Sequence, residues 1–192
     1  MTVDKYSNYA ELSRAEMEGT DYGRIVKLRP GALVAIIAPH AGGIEPGTCT
    51  IARQIAGAEF SLYCFCGYRA RGNHELHITS HCFDEPECMK LLAGHTWIVA
   101  IHGCDEAGER VFLGGRDTAL IADFAIRLKE AGIVAETSGH RYLGTDPGNI
   151  CNRGRLKAGV QIELSLSFRH GKRIPAFVAA VRAVLSARQE KG

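Results

Sequence analysis

Residues 33–48 read Leu33-Val-Ala-Ile-Ile-Ala-Pro-His-Ala-Gly-Gly-Ile-Glu-Pro-Gly-Thr48. The stretch Leu33–Ala38 is apolar without alternation, the pattern of a strand covered on both faces. Pro39 and the glycines after it end the run, and Pro46-Gly47 leads into the helix-like stretch Thr48–Ala56. Strand, tight loop and helix in that order predict an α/β unit. Ligands of such sheets bind beyond the carboxyl ends of the strands. His40 and Glu45, in the loop leaving this strand, are therefore the first candidates for chemistry. The glycines let the backbone fold sharply enough for both side chains to turn toward one point.

The same grammar continues along the chain. Further strand candidates are Phe60–Phe65, Glu75–Thr79, Trp97–His102, Ile133–Glu136 and Gln161–Ser167. Asp84 to Leu92 reads as a helix, with Asp84 as cap, Pro86 in the first turn and Glu87 completing a capping box. Asp117–Ala131 places Leu120, Ile121, Phe124 and Leu128 on one face and stops at Gly132, and Pro175–Ala187 is a further amphipathic helix. No repeat or linker divides the 192 residues. The expectation is one catalytic domain over 1–192, with 1–21 an N-terminal extension or helix. Its fold class is α/β, a mixed, mainly parallel sheet with helices on both faces.

Composition narrows the function classes. With 23 basic and 21 acidic residues the formal net charge is +2, which argues against a surface built for nucleic acid. The 7 cysteines form no C-x-x-C pair, so free thiols are the economical reading, with Cys82, Cys104 and Cys151 as small packing residues. Residues 1–21 are polar and lack the apolar core of a signal peptide. Apolar runs fall far below the ~20 residues of a membrane span. These features predict a cytoplasmic protein and leave open whether it acts there or after release by lysis.

Trp97–Ile101 ends in His102-Gly103, repeating the strand-end histidine of the opening stretch. His40, Glu45 and His102 then make a His₂Glu set, one of the ligand sets of catalytic zinc, with a fourth position left for water. Taken singly, each histidine is more often a hydrogen-bonded structural residue; the shared position at strand ends lifts the pair above that reading. Glu163 is the lone charge in the strand Val160–Ser167. A carboxylate there is costly unless it has a partner or a task. A structural ion pair is the competing reading to general base. Arg141, Arg153, Arg155 and Lys157 stand against Asp146 alone in 139–157, and Asn149, Asn152 and Arg153 share one loop. Arg grips carboxylates through paired hydrogen bonds, so Asn152 and Arg153 point to an acidic substrate; a solvated basic loop is the rival. His81 reads as a wall residue of the site and His77 as structural.

On Ala38–Gly47, Leu76–Ser80, Phe83–Pro86, Ile101–Gly103, Asn149–Arg153 and Gly159–Ser165, the chain resembles the zinc-dependent poly-γ-glutamate hydrolases, a phage-associated family related to zinc carboxypeptidases. The likeness runs from about Tyr22 to Phe168. It implies a zinc-carboxypeptidase-like fold, one zinc ion on His40, Glu45 and His102, and Glu163 as general base in hydrolysis of γ-glutamyl amide bonds. It also implies a substrate that is an acidic glutamyl polymer or an acylated glutamate. Unlike the wider carboxypeptidases, this chain has four residues rather than two between its first two ligands, and Asn152-Arg153 follows the last ligand. The arginine that would polarise the scissile carbonyl is left open between Arg116 and Arg141. Two rival readings remain at this level. One is a zinc deacylase of small N-acyl amino acids. The other is a non-catalytic phage or host accessory protein.

Overall fold

The computed structural model describes residues 4–190. The sheet strands are β1 (Tyr22–Lys27), β2 (Val34–Gly42), β3 (Ser61–Gly67), β4 (Trp97–Cys104), β5 (Val111–Gly115), β6 (Ala135–Glu136) and β7 (Val160–Ser165). They form one 7-stranded sheet in the order β1-β3-β2-β4-β7-β5-β6. The central block β3-β2-β4-β7 is parallel, and antiparallel pairings attach β1 to β3 and β5 to β7. The expected mixed, mainly parallel sheet is present. β2, β3 and β7 are buried along almost their whole length, and β2 and β3 accordingly read as largely apolar runs.

Two layers cover the sheet. Val34, Ile36 and Ala38 of β2, with Val99 and Ile101 of β4 and Val160, Ile162 and Leu164 of β7, face α2 (Thr48–Ala56), α4 (Thr118–Glu130) and α6 (Ile174–Gln189). Ala35, Ile37, Ile98 and Ala100 face the other way, onto α1 (Tyr9–Ala15), α3 (Pro86–Ala93) and the buried residues Leu76, Ile78 and Phe83. A four-residue helix, α5 (Leu166–Arg169), follows β7 and is capped by the Ser165 hydroxyl, which accepts from the Phe168 N–H.

Several local expectations need correction. Residues 75–79 are not a strand. Asn73–Leu76 forms a 3-10 turn, and both neighbours of β3 are already β1 and β2. The apolar spacing of Leu76 and Ile78 records packing into the second layer. The cap of α3 is Glu85 rather than Asp84: its buried carboxylate accepts from the N–H groups of Glu87 and Cys88 and pairs with Arg24, whereas Asp84 accepts from the Tyr9 N–H. β1 and β5, too short and too polar at their flanks to stand out, were not expected. Among the described residues no helix is long and apolar enough to cross a membrane.

Candidate active site

A fault in the ladder of β2 aims the first site residue. Ala38 pairs with Cys64 and Ala41 with Cys66, so β2 carries one residue more than β3 between these pairs. The bulge lies at Pro39-His40, where proline's missing N–H removes a ladder donor. Regular alternation would send His40 toward the α2 layer together with Val34, Ile36 and Ala38. The bulge shifts the phase: Ala41 joins that layer instead, and His40 turns to the opposite face. His102 of β4 and Gln161 and Glu163 of β7 alternate with residues of the α2 layer and so share this face; His102 and Glu163 are register partners. His40 thus lies within a strand, not in the loop the sequence suggests.

Glu45 reaches the same point from the loop. Gly42 turns at φ 66°, where a Cβ would stand 2.5 Å from the Gly67 carbonyl oxygen, so only glycine fits. The Glu45 N–H donates to the His40 carbonyl at 2.8 Å, and Glu45 Oε2 accepts from the Gly103 N–H at 2.7 Å. His40 Nδ1 is 3.1 Å from Glu45 Oε1 and 3.2 Å from His102 Nδ1, and His102 Nδ1 is 3.9 Å from Glu45 Oε2. His40 Nε2 donates to the Ile78 carbonyl at 2.8 Å, which leaves a lone pair on Nδ1 facing the other two groups. Among the described residues His102 Nε2 is buried without a partner.

This donor set fits a small divalent cation. Ligand atoms bonded at about 2.0–2.2 Å in a tetrahedron stand about 3.3–3.6 Å apart, close to the separations found. A second triad shares two members: His40, Glu45 and His77 offer ligand atoms within 4.8 Å of one another. The His77 ring lies 4.0 Å from the His40 ring, centroid to centroid, and its Nδ1 is 2.7 Å from Asp4 Oδ1. His77 is therefore a site residue, which corrects its reading as purely structural. The signal missed was its place between two buried apolar residues, Leu76 and Ile78.

Charge is strongly coupled here. Burial disfavours protonation of His40, but the Glu45 carboxylate and the Ile78 carbonyl outweigh it and raise its pKa. Burial, with His40 and His77 nearby, holds His102 down at about 3. Glu163 is 8% exposed; burial first, and then the Glu45 charge, raise it well above the usual carboxylate range, while Arg169 and Arg141 pull the other way. Its Oε1 accepts from Gln161 Nε2 at 3.1 Å, and Gln161 Oε1 in turn accepts from Asn149 Nδ2 at 2.9 Å. The Asn149–Gln161 relay was not read from the sequence, though Gln161 sits two places before Glu163 on one strand face.

These groups floor an open cleft of about 550 Å³. One wall carries His77, Thr79, Ser80 and exposed His81; the other carries Arg141, Tyr142 and residues 143–146. Asn152 and Arg153, expected to hold the substrate, do not line this cleft. Asn152 is 1% exposed, and its amide is spent on the carbonyls of Gly144 and Asp146 and the N–H of Gly159. Arg153 donates to the carbonyls of Gly148 and His81. Both residues lock the loops that build the walls. Arg116 is likewise absent from the cleft, whereas Arg141 lines it, beside Tyr142 and Glu106.

Comparison with known proteins places this geometry in a lineage. The family model described as poly-gamma-glutamate hydrolase matches residues 6–172. The chain belongs to the poly-gamma-glutamate hydrolase family. The Bacillus subtilis (strain 168) protein YndL is 38% identical over 168 residues, covering 86% of this chain and 66% of YndL. The SPbeta prophage-derived protein YoqZ of the same organism is 37% identical, over 88% of this chain and 61% of YoqZ. The chain thus spans about two thirds or less of these two curated relatives. The structure of a bacteriophage poly-gamma-glutamate hydrolase superposes with a TM-score of 0.94 at 31% identity, covering 99% of this chain and 100% of that one. The zinc-free form of YndL superposes with a TM-score of 0.90 at 33% identity, over 97% and 99% of the two chains.

Proposed function

We propose that this family member is a zinc-dependent hydrolase that cleaves γ-glutamyl amide bonds of poly-γ-glutamate. The observation that carries the reading is the convergence of His40 Nδ1, His102 Nδ1 and the Glu45 carboxylate, 3.1–3.9 Å apart, on the floor of an open cleft. These three residues are the proposed ligands. A zinc ion there would polarise the scissile carbonyl and lower the pKa of water at its open position to about 7.

The chain's own residues supply the rest. Glu163, beside His102 across the sheet, takes the proton of the attacking water and returns it to the leaving amine. Gln161 holds one carboxylate oxygen, so the other is presented to the cleft in a fixed direction. Arg141 is the arginine lining the cleft, placed to pair with a carboxylate of an acidic substrate or to steady the oxyanion. His81 stands at the rim as a further contact. The family relation and the phage hydrolase likeness support the polymer as substrate.

The test is incubation of poly-γ-glutamate with purified protein before and after chelation, with chain length followed by size-exclusion chromatography and metal content by elemental analysis. Shortening that requires about one zinc per chain, and that is abolished by chelator and restored by zinc, is expected. Undiminished cleavage in metal-free protein would remove zinc from the reaction. Zinc binding without any cleavage of the polymer, but with hydrolysis of a short acylated glutamate, would replace the substrate.

A further inference from the structure

The sheet face opposite the cleft carries a cluster of thiols that hydrolysis does not use. Cys64 and Cys66 of β3 belong to the α2 layer and are 0% and 2% exposed. Cys49, in the first turn of α2, is partly exposed, and its Sγ accepts from the Cys66 thiol at 3.9 Å. Two observations make Cys49 the reactive member. Its position in the first turn of α2 sets it against the positive end of the helix dipole, and Arg53 lies one turn further along. The thiols of Cys64 and Cys66 donate toward it, and together with Arg53 they lower its pKa, while those of Cys64 and Cys66 are raised. A sulfur open to small molecules thus lies 3.9 Å from a buried thiol.

We propose that Cys49 and Cys66 form an oxidisable pair, with Cys49 the thiolate that reduces hydroperoxides and Cys66 the thiol that resolves it into an intramolecular disulfide. In the first step the Cys49 sulfur attacks the peroxide. An S–O bond forms, the O–O bond breaks, and the departing oxygen leaves as hydroxide or alkoxide, giving the sulfenic acid. In the second the Cys66 sulfur, losing its proton, attacks the Cys49 sulfur. The S–O bond breaks, water leaves, and the S–S bond forms. Two thiols and one hydroperoxide thereby yield one disulfide, one water and one alcohol, or a second water when the oxidant is hydrogen peroxide.

The bridge would staple α2 to β3 around the ligand loop. Cys66 pairs with Ala41, next to His40, and Cys49 lies four positions beyond Glu45. The inference stands apart from the proposed hydrolysis, because neither sulfur faces the cleft.

The experiment treats the full chain, metal loaded, with equimolar hydrogen peroxide, then alkylates, digests and analyses it by mass spectrometry. The expected result is a monomer lighter by two hydrogens, with 2 of its 7 thiols lost, a Cys49–Cys66 linked peptide, and Cys82 still alkylated. In Cys66→Ser the sulfenic acid persists and is trapped on Cys49 by dimedone. Oxidation of Cys82 ahead of Cys49 would overturn the proposal, as would a Cys49–Cys64 link, a disulfide between chains, or an unreacted Cys49. The wild-type mapping decides the matter even if the serine variant folds poorly.

Discussion

At the scale of single residues, the proposed chemistry divides into holding a metal and moving a proton. His40→Ala removes a proposed ligand, a ring whose tautomer the Ile78 carbonyl fixes, so both zinc and turnover are expected to disappear. Glu163→Gln keeps the shape and the Gln161 contact but cannot accept a proton. We expect stoichiometric zinc and a kcat lower by about 10²–10⁴, the usual contribution of a general base; full activity would remove Glu163 from the mechanism. The two overlapping triads make a sharper comparison. His102→Ala should abolish zinc binding measured by competition with a chromophoric chelator. His77→Ala, which acts beside the set and is itself oriented by Asp4, should weaken binding about 10–100-fold, as loss of a supporting residue does. The reverse order would reassign the third ligand to His77. His40, Glu45, His102 and Glu163 were visible in the sequence because each is a charged or imidazole group set against an apolar strand or a glycine turn. His77 was not, because its partner Asp4 lies 73 positions away.

At the scale of elements, the bulge in β2 and the loop lock at Asn152 matter most. Asn152→Ala leaves the buried Gly159 N–H and the half-buried Gly144 carbonyl without partners, and takes one of two donors from the Asp146 carbonyl, which keeps the Asn149 N–H. Each orphaned buried group costs about 1–3 kcal/mol, so the midpoint of urea unfolding should fall markedly. The wall at 143–146 should loosen with it, raising KM for the polymer before kcat. A variant with normal stability and a raised KM alone would return Asn152 to direct substrate binding. The sequence showed an amide and an arginine in a basic loop, which is the composition of an anion site. It could not show that their hydrogen-bonding capacity is consumed by the loop itself. Likewise, Pro39 marked the end of the apolar run but not that the strand continues through it, since a bulge is a relation between two strands.

For the whole molecule, a metal bound only by the folded chain adds stability of RT ln(1 + [L]/Kd), about 4 kcal/mol at a thousandfold excess of free zinc over Kd. Thermal unfolding should therefore move upward on zinc addition in the wild type and stay put in His40→Ala. The metal-free protein should also carry a distinct pH signature from Glu163. Its folded pKa lies well above the unfolded value, so the neutral acid is the form the fold prefers. The stabilising contribution is complete below the unfolded Glu pKa of about 4.3 and is lost as pH rises toward the folded value. Chelated wild type should accordingly lose stability relative to chelated Glu163→Gln as pH is raised through that range. Parallel Tm–pH curves for the two would show that Glu163 is not held protonated by its surroundings.

The order of apolar runs, glycine turns and capped helices was enough to specify an α/β chain and to mark strand ends as the place for ligands. Those are properties of local periodicity and backbone freedom, which neighbouring residues along the chain determine. Which face each ligand takes, which thiols meet, and which arginine reaches the cleft were settled only by tertiary structure. Side-chain direction in a sheet depends on register between strands distant in sequence, and hydrogen-bonding capacity depends on what burial leaves unspent.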